Sequence, residues 1–357
     1  MKVSKLLSTV LMFGVILLTA CDSEKDETIE IELQPTLAET LDKALDVNIA
    51  EDEPGMIVAV WQNGTLLYTG MKGLAREGMK INETTGFLLA SVSKTFTAIA
   101  TLQLYEQNLI QLEDSIVDYL PELSDTWRGI TIHHLLSHQS GIPDFANDFQ
   151  ATKILPNGIT NANIIRYFSM NPTLEFPPGT QADYSNTGYV LLAEVIAKVS
   201  GVPFSAYMQE SVFNRLGMTD SYIYDENTQL RSDAALNMAK TEKVFGADFF
   251  ATGTSNQVSS MQDMLVFTQA LLNEQILQKN TMNLMLSRHA AIFDGYGYGT
   301  IFFNLTSNVY GHTGGKDGYR TMYAINKEKN AFVIMLGNGG DTMPDQPYIT
   351  NLVSPFL

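Results

Sequence analysis

The sequence predicts an α+β protein in which the two ends of the folded domain form one antiparallel sheet and the middle forms a mostly helical lobe. Three observations lead to this fold class. A β-hairpin is indicated between about residues 50 and 75, helical periodicity dominates from about 93 to 290, and short strand-like runs return between about 295 and 340. Because a lone hairpin buries little apolar surface, we expect it to join the later strands, with helices flanking the sheet.

The first 20 residues are expected to be a signal peptide and not part of that fold. Lys2 and Lys5 precede the apolar run LLSTVLMFGVILLTA, which is long enough for a signal-peptide core but short for a membrane span. The run ends in LTAC, and Cys21 is the only cysteine of the chain. This ending resembles the lipobox of bacterial lipoproteins, which implies cleavage before Cys21, its acylation and stable anchoring to a membrane. The alternative is that Cys21 only flanks an ordinary cleavage site.

Residues 21–35 are expected to carry the lipid and to form an acidic tether. The stretch DSEKDETIEIELQPT is charged and sparsely apolar, which is typical of a solvated linker. Without Lys2 and Lys5 the chain keeps 20 of its 22 basic residues against 39 acidic ones, a net charge of −19. This charge argues against nucleic acid as a partner. The expected localisation is that of an exported, membrane-anchored lipoprotein.

The folded domain is expected to span residues 36–357 and to open with a helix. In TLAETLDKALDVNI, apolar residues recur at mostly helical spacing and acidic residues come early. Two β-rich runs, Met56–Gln62 and Thr65–Gly73, then flank Asn63-Gly64, a dipeptide suited to the positive φ angles of a type I′ turn. Near the other end, YRTMYAIN and AFVIMLGN flank the turn KEKN and complete the predicted sheet.

The stretch SVSK contains the only S-x-x-K spacing of the chain. If a helix begins at about Ser91, Lys94 lies one turn away on the same face. A serine hydroxyl becomes a good nucleophile when a neighbouring base takes its proton, and a lysine can do so only if its pKa falls toward neutrality. A serine near a helix start is also a common N-cap, so the spacing alone leaves both interpretations open.

Two later motifs favour the catalytic interpretation. Tyr184 and Asn186 form the only Y-x-N, just after a Pro-Pro-Gly turn, and GHTGGKDGY places His312 beside glycines that allow close backbone approach. In this order SVSK, YSN and HTG resemble the active-site motifs of the serine β-lactamase and penicillin-binding-protein superfamily, especially class C β-lactamases and D-alanyl-D-alanine carboxypeptidases. The resemblance extends over roughly Leu45–Asn338 and implies a β-lactamase/transpeptidase-like fold.

The resemblance also implies a role for each motif residue. Ser91 would be the nucleophile, Lys94 its activating partner, and Tyr184 a proton shuttle, with the identity of the general base left open between lysine and tyrosine. Asn186 would bond Lys94 and a substrate amide. The N–H groups of Ser91 and Gly315 would form the oxyanion hole. The substrate would lie along a strand formed by His312, Thr313 and Gly314.

Some residues depart from the pattern of most β-lactamases. Those enzymes carry a lysine where His312 stands, whereas many carboxypeptidases and esterases of this group have histidine. Lys316-Asp317-Gly318 is a competing K-x-G that lacks the threonine and is interpreted as a turn. The segment after Gly340 is short and proline-interrupted where the family usually has a longer helix on the sheet.

Other residues are left with two interpretations. His134 and His138 have a spacing that could hold a metal on a helix, but packing or hydrogen bonding is the favoured role because no acidic third ligand is nearby. Tyr296 and Tyr298 either line the cleft or belong to the core. Arg320 either binds a substrate carboxylate or pairs with an acidic side chain.

Taken together, the motifs imply a serine hydrolase that works through an acyl-enzyme on Ser91, in the first place by D-alanyl-D-alanine carboxypeptidase-like amide or peptide hydrolysis. A class C-like β-lactamase or a carboxylesterase is an alternative, because the motifs occur across these enzymes. A lipoprotein that senses a ligand or cell-wall fragment is the non-enzymatic alternative. The expected partners are a small-molecule, peptide or ester substrate and a membrane reached through the lipid anchor, and no cofactor or metal is expected.

Overall fold

The computed structural model describes residues 36–147, 159–238, 249–303, 308–316, 318–340 and 353–357. The predicted signal peptide, Cys21 and the acidic tether lie outside the described residues. Thr36–Leu357 forms one unit of the chain. Among the described residues, no single helix is long and apolar enough to cross a membrane, and one helix pair with a bend of 79° meets that criterion only when its two members are taken together.

The helices of the described residues lie mostly in the middle of the chain. They are α1 (Leu37–Asn48), α2 (Ser93–Glu106), α3 (Ile116–Tyr119), α4 (Ile132–Leu136), α5 (Asn161–Met170), α6 (Asn186–Ser200), α7 (Phe204–Met208), α8 (Met261–Leu272) and α9 (Lys279–Met285).

The strands are concentrated at the two ends of this unit. They are β1 (Met56–Gln62), β2 (Thr65–Lys72), β3 (Leu74–Arg76), β4 (Met79–Lys80), β5 (Phe87–Leu88), β6 (Ile159–Thr160), β7 (Tyr222–Ile223), β8 (Phe249–Phe250), β9 (Gln257–Ser259), β10 (Ile301–Phe302), β11 (Val309–Lys316), β12 (Tyr319–Asn326) and β13 (Ala331–Gly337).

A six-stranded antiparallel sheet joins both ends of the domain, as the sequence predicts. Its strand order is β10-β11-β12-β13-β1-β2, so the N-terminal hairpin pairs with the last strand of the chain. Val60 is opposite Val333 in that pairing. The hairpin turn is also confirmed, since Asn63 and Gly64 have φ angles of 51° and 86°.

The sheet is covered on both faces, which explains why β1 and β13 are nearly continuous apolar runs. Along β1, Ile57 and Ala59 belong to the large core, whereas Met56 and Val58 belong to a second cluster. Successive residues of a strand point to opposite faces, so one strand supplies both clusters.

Helix α1 covers the second cluster with one amphipathic face. Leu41 and Leu45 are buried there, and each contributes roughly 1.5–3 kcal/mol through burial. The helix begins after Thr36, whose side chain and that of Glu39 form a capping box. Val353, at the far end of the chain, packs into the same cluster.

Two features differ from the sequence prediction. Helix α2 begins at Ser93, and Ser91 lies in the preceding 3₁₀ turn, Ala90–Val92, without acting as a cap. The helical region also contains short strands, of which β7 and β9 form a three-stranded sheet with β5. Strands of two or three residues are too short to produce an alternating pattern in the sequence.

Candidate active site

The three sequence motifs come together from three separate elements. SVSK lies at the entrance to α2, YSN at the start of α6, and HTG within β11. Helices α2 and α6 pack against each other, and β11 packs against the turn that carries Ser91. The fold therefore brings together residues that are more than 200 positions apart in the chain.

Lys94 is fully buried beside Ser91. Its Nζ lies 3.1 Å from Ser91 Oγ, 2.7 Å from Asn186 Oδ1 and 3.0 Å from the Thr254 carbonyl oxygen. The last two atoms are acceptors only, so a neutral amine donates both of its N–H groups to them. Its lone pair then faces the serine hydroxyl.

Burial lowers the pKa of Lys94 to about 7 because the charged form loses its hydration. The Asp144 carboxylate raises the pKa of this lysine and the Lys316 ammonium lowers it, both by smaller amounts. A substantial fraction of Lys94 is therefore neutral near pH 7, which is the condition that a lysine must meet to accept a proton from serine.

The turn that presents Ser91 has an unusual backbone. Ala90 has a φ angle of 48°, a region that alanine rarely occupies. The backbone of the preceding residue, Leu89, is held at two points. Its N–H donates to Gln257 O at 2.8 Å, and its carbonyl accepts from Thr321 Oγ1 at 2.6 Å. These contacts hold the nucleophile's turn in place.

Asn186 connects Lys94 to a buried carboxylate. Its Oδ1 accepts from Lys94 and from Thr254 Oγ1, at 2.7 and 2.6 Å, and its Nδ2 donates to Asp144 Oδ2 at 2.8 Å. Because each end of the amide has its own partners, its orientation is fixed. Burial raises the pKa of Asp144, whereas the N–H groups that hydrogen-bond its carboxylate and the nearby Lys94 lower that pKa.

Tyr184 lies over Lys94 and next to Ser91. The Lys94 Nζ is 4.9 Å from the centre of the tyrosine ring, and the Ser91 side chain is near enough to the phenol to lower its pKa. Burial raises the pKa of Tyr184, because an ionised phenol would lose its hydration there. The phenol is therefore protonated at neutral pH and can give a proton rather than take one.

His138 bonds the residues directly before and after Tyr184 and so fixes the backbone that carries the tyrosine. Its carbonyl accepts from Asp183 N–H at 3.0 Å, and its Nδ1 accepts from Ser185 N–H at 3.1 Å. The two rings lie 4.4 Å apart. His138 is itself held at a φ angle of 60°. The sequence indicates a packing or hydrogen-bonding role, and the structure shows both, but nothing in the sequence indicates its link to Tyr184.

His312 is buried and neutral. Its Nδ1 lies 2.6 Å from the Thr313 carbonyl, which can only accept, so Nδ1 carries the proton and Nε2 accepts from Tyr296 Oη at 3.2 Å. Burial and, to a smaller extent, the nearby Lys94 lower the pKa of His312 to about 3. A positive charge at this position is therefore excluded at neutral pH.

Gly314 allows β11 to approach the nucleophile's turn. A Cβ at this position would lie 2.3 Å from Leu89 O and 3.1 Å from Ala90 Cβ. At Gly315 the nearest atom would be 3.6 Å away, so that glycine is not required by packing. Thr313 lines a cavity of about 330 Å³ together with Phe293.

Comparison with known proteins identifies the family of the chain. The profile of the β-lactamase family matches residues 37–353 of the chain. The chain belongs to that family. Members of this β-lactamase and penicillin-binding-protein group are serine hydrolases, and the antiparallel sheet with its helical lobe is the β-lactamase/transpeptidase-like fold.

Two curated proteins and two solved structures illustrate the similarity. Penicillin-binding protein 4* of Bacillus subtilis is 30% identical over 85% of this chain and 70% of its own length, and protein flp of Staphylococcus aureus is 24% identical over 84% and 62%. The octameric penicillin-binding protein homologue of Pyrococcus abyssi has a TM-score of 0.72 at 26% identity, covering 85% of this chain and 73% of its own. A D-stereospecific amidohydrolase of Streptomyces has 0.74 at 23%, covering 88% and 98%, and shows the fold alone.

The structure also gives the contacts of the three cleft candidates Tyr296, Tyr298 and Arg320. Tyr296 contacts Tyr184, His138 and His312, whereas Tyr298 stacks on His289 away from this cluster. Arg320 lies opposite Gly315 in the sheet, and its guanidinium is the group nearest to that glycine's missing Cβ.

The two histidines considered as metal ligands have separate partners. His134 Nδ1 accepts from Thr131 N–H, whereas His138 Nδ1 accepts from Ser185 N–H. Within the described ranges, no group of three or more His, Cys, Asp or Glu side chains is placed to hold a metal ion. In the competing K-x-G motif, Lys316 is the last residue of β11, and its ammonium donates to Asn256 Oδ1 at 2.5 Å. Asp317 of that motif lies outside the described residues.

Proposed function

We propose that the protein hydrolyses an amide or peptide bond through an acyl-enzyme on Ser91, in the manner of D-alanyl-D-alanine carboxypeptidases. The observation that carries the proposal is the contact between Ser91 Oγ and the buried amine of Lys94, at 3.1 Å and with a pKa of about 7. A lysine in that state is the general base that a serine nucleophile requires.

Acylation uses Lys94 and Tyr184 in turn. Neutral Lys94 takes the proton of Ser91 while Oγ forms a bond to the substrate carbonyl carbon, and the N–H groups of Ser91 and Gly315 stabilise the resulting oxyanion. The carbon–nitrogen bond then breaks as Tyr184 gives its proton to the leaving nitrogen. Tyr184 recovers a proton from the Lys94 ammonium, so both groups return to their starting states.

Deacylation repeats the proton transfer with water. Lys94 takes a proton from the attacking water, and Ser91 Oγ leaves the acyl carbon and recovers that proton from the Lys94 ammonium. The raised pKa of Tyr184 supports lysine as the base, because a phenolate is disfavoured in this environment.

The presence of histidine at position 312 supports amide or peptide hydrolysis over a β-lactamase activity, because many carboxypeptidases of this group carry histidine there. Most β-lactamases carry a lysine at this position, and a lysine adds a positive charge beside the substrate. His312 places no charge there, since its pKa is lowered to about 3. A β-lactamase or carboxylesterase activity is the alternative enzymatic outcome.

The test is turnover by the full chain, purified in detergent, of N-acetyl-D-alanyl-D-alanine, benzylpenicillin and p-nitrophenyl acetate. We expect release of D-alanine and a Ser91 adduct with benzylpenicillin in the intact mass spectrum. Ser91→Ala should reduce turnover by at least a thousandfold, on the order seen when a catalytic serine is removed.

Ser232→Ala is the control, because that serine is exposed and belongs to none of the three motifs. It should retain activity. Preferred turnover of benzylpenicillin or of the ester would replace the carboxypeptidase assignment by the corresponding alternative. Turnover unaffected by Ser91→Ala would reject the nucleophile assignment. Absence of turnover of all three compounds by the wild-type protein would favour the non-enzymatic sensor.

We also propose that the chain is exported and anchored through Cys21. The support is the sequence of residues 1–35 alone, with its apolar run and single cysteine. Metabolic labelling with palmitate should tag the wild-type protein and not Cys21→Ser. Equal labelling of both proteins, or no labelling of either, would reject the anchor.

A further inference from the structure

A cavity of about 330 Å³ adjoins the HTG stretch of β11, and the mechanism above gives it no occupant. Among the described residues, its walls are formed by Phe293, Asp294, Ile301, Phe302, Phe303 and Thr313. Four of these six side chains are apolar, and three of the four are aromatic. A concave site of this kind, mostly apolar with a few polar groups, is typical of a pocket for part of a small ligand.

The cavity meets the catalytic group at two points. Thr313 belongs both to its wall and to the strand along which the substrate is expected to lie. Phe293 contacts Tyr184, with the ring centres 5.9 Å apart and the ring planes at 76°. Since Tyr184 gives its proton to the leaving nitrogen in the proposed mechanism, the cavity lies on the leaving-group side of the scissile bond.

The edge of β11 beside this cavity is not covered by β10. The pairing of β10 with β11 involves Tyr310 and Gly311 and stops before His312. Thr313, the next residue along the strand, is half-buried. A substrate backbone can therefore lie along this part of β11 with a side group directed into the cavity.

Phe293 is the most unusual residue of the cavity wall. Its side chain is 61% exposed, and its φ angle is 55°, a conformation that bulky residues rarely adopt. Packing of the core explains neither feature. Exposed apolar side chains and unfavourable backbone angles are both common where a protein binds a ligand.

We propose that this cavity binds an apolar leaving group of the substrate, about the size of a phenyl ring, and that Phe293 is a specificity-determining residue. A methyl group, such as that of D-alanine, would leave most of the cavity empty. A phenyl ring can contact the aromatic wall and removes more apolar surface from water. The inference rests on the proposed function for the identity of the scissile bond, whereas the preference for an apolar group follows from the cavity wall alone.

The test is a comparison of two ligands that differ only in the leaving amine. The N-methylamide and the N-benzylamide of N-acetyl-D-alanine are titrated calorimetrically into the full-length Ser91→Ala protein, which lacks the nucleophile. Both ligands are neutral, because the cavity wall includes the Asp294 carboxylate. We expect the benzylamide to bind at least about tenfold more tightly, since a phenyl ring buries far more apolar surface than a methyl group.

Adding Phe293→Asn should reduce this preference to less than about threefold, because the aromatic ring is lost. Asparagine tolerates a positive φ angle, so the backbone at this position is not strained further. Met170→Asn is the matched control, since it removes a side chain of similar exposure, 63%, from the end of α5. It should leave the preference unchanged.

Equal affinity for the two amides, or no binding of either, would overturn the proposal. A preference that survives Phe293→Asn, or that is lost equally in Met170→Asn, would overturn it as well. Because binding is measured without turnover, these results are distinct from a failure of hydrolysis by the wild-type protein, which would count against the proposed function instead.

Discussion

Lys94 is a buried lysine with two acceptor-only partners and a serine as the third, and the pH dependence of the reaction should follow its charge. The neutral amine predominates above its pKa of about 7, so kcat/KM should rise with pH through that value and then level off. Asp144→Asn removes a charge that raises this pKa and should move the rise to lower pH. Lys316→Gln removes a charge that lowers it and should move the rise to higher pH.

The measurement is the pH profile of kcat/KM for an ester substrate in the three proteins. Opposite shifts in the two variants would identify Lys94 as the titrating group. A profile that is flat between about pH 6 and 9, or that moves in the same direction in both variants, would contradict this assignment.

His138 is expected to act as a positioning residue for Tyr184. His138→Leu removes the acceptor for Ser185 N–H and places a residue poorly suited to a φ angle of 60°. A displaced tyrosine should lower kcat on the order of a hundredfold with little change in KM. His138→Asn should restore most of the loss, because asparagine tolerates this φ and its Oδ1 can accept the same bond. Equal losses in both variants would indicate a general structural role.

At the scale of elements, the site depends on how closely β11 approaches the 3₁₀ turn before α2. Gly314→Ala adds a methyl group that would meet Leu89 O at 2.3 Å, so strand and turn must separate. We expect a loss on the order of a hundredfold in kcat/KM, as when an oxyanion-hole donor is displaced. Gly129→Ala meets no atom within 4 Å and serves as the control. Full activity of Gly314→Ala would show that the close approach is dispensable.

Some elements are predictable from short stretches of sequence and others are not. The hairpin follows from Asn63-Gly64 and the start of α1 from Thr36, because both signals are local. The start of α2 at Ser93 does not, since the conformation of Ala90 is held by contacts with distant residues. The local sequence therefore predicts a helix start at about Ser91, two residues before the start in the structure.

At the scale of the whole molecule, Asn338 ties the two ends of the domain to the helical lobe. It is fully buried, accepts from Gly55 N–H at 2.9 Å, and donates to carbonyls of Leu74, Ala75 and Leu236. Asn338→Ala leaves these buried groups without partners and should lower the free energy of unfolding by about 3 kcal/mol.

Thermal and urea denaturation of the variant measure this loss. Asn280→Ala, at an exposed position of α9, is the control and should change the free energy of unfolding by no more than about 0.5 kcal/mol. Similar stabilities for the two variants would show that the domain ends are held by other contacts.

The motifs locate the site in the sequence, but its chemistry depends on the assembled domain. Ser91, Lys94, Tyr184 and Asn186 can be found from spacing and resemblance. Thr254 and Asp144, which complete the surroundings of Lys94, lie in loops with no motif and reach the site only through the fold. Burial of Lys94 and neutrality of His312 are likewise properties of the packed interior.

The most direct test of the account is the rate at which a fluorophosphonate labels the protein, with the modified residue located by peptide mapping. We expect a single adduct on Ser91, no adduct in Ser91→Ala, and labelling slowed at least a hundredfold in Lys94→Ala, on the order of a lost general base. Labelling at another residue, or an unchanged rate in Lys94→Ala, would contradict the claim that a neutral buried lysine activates Ser91.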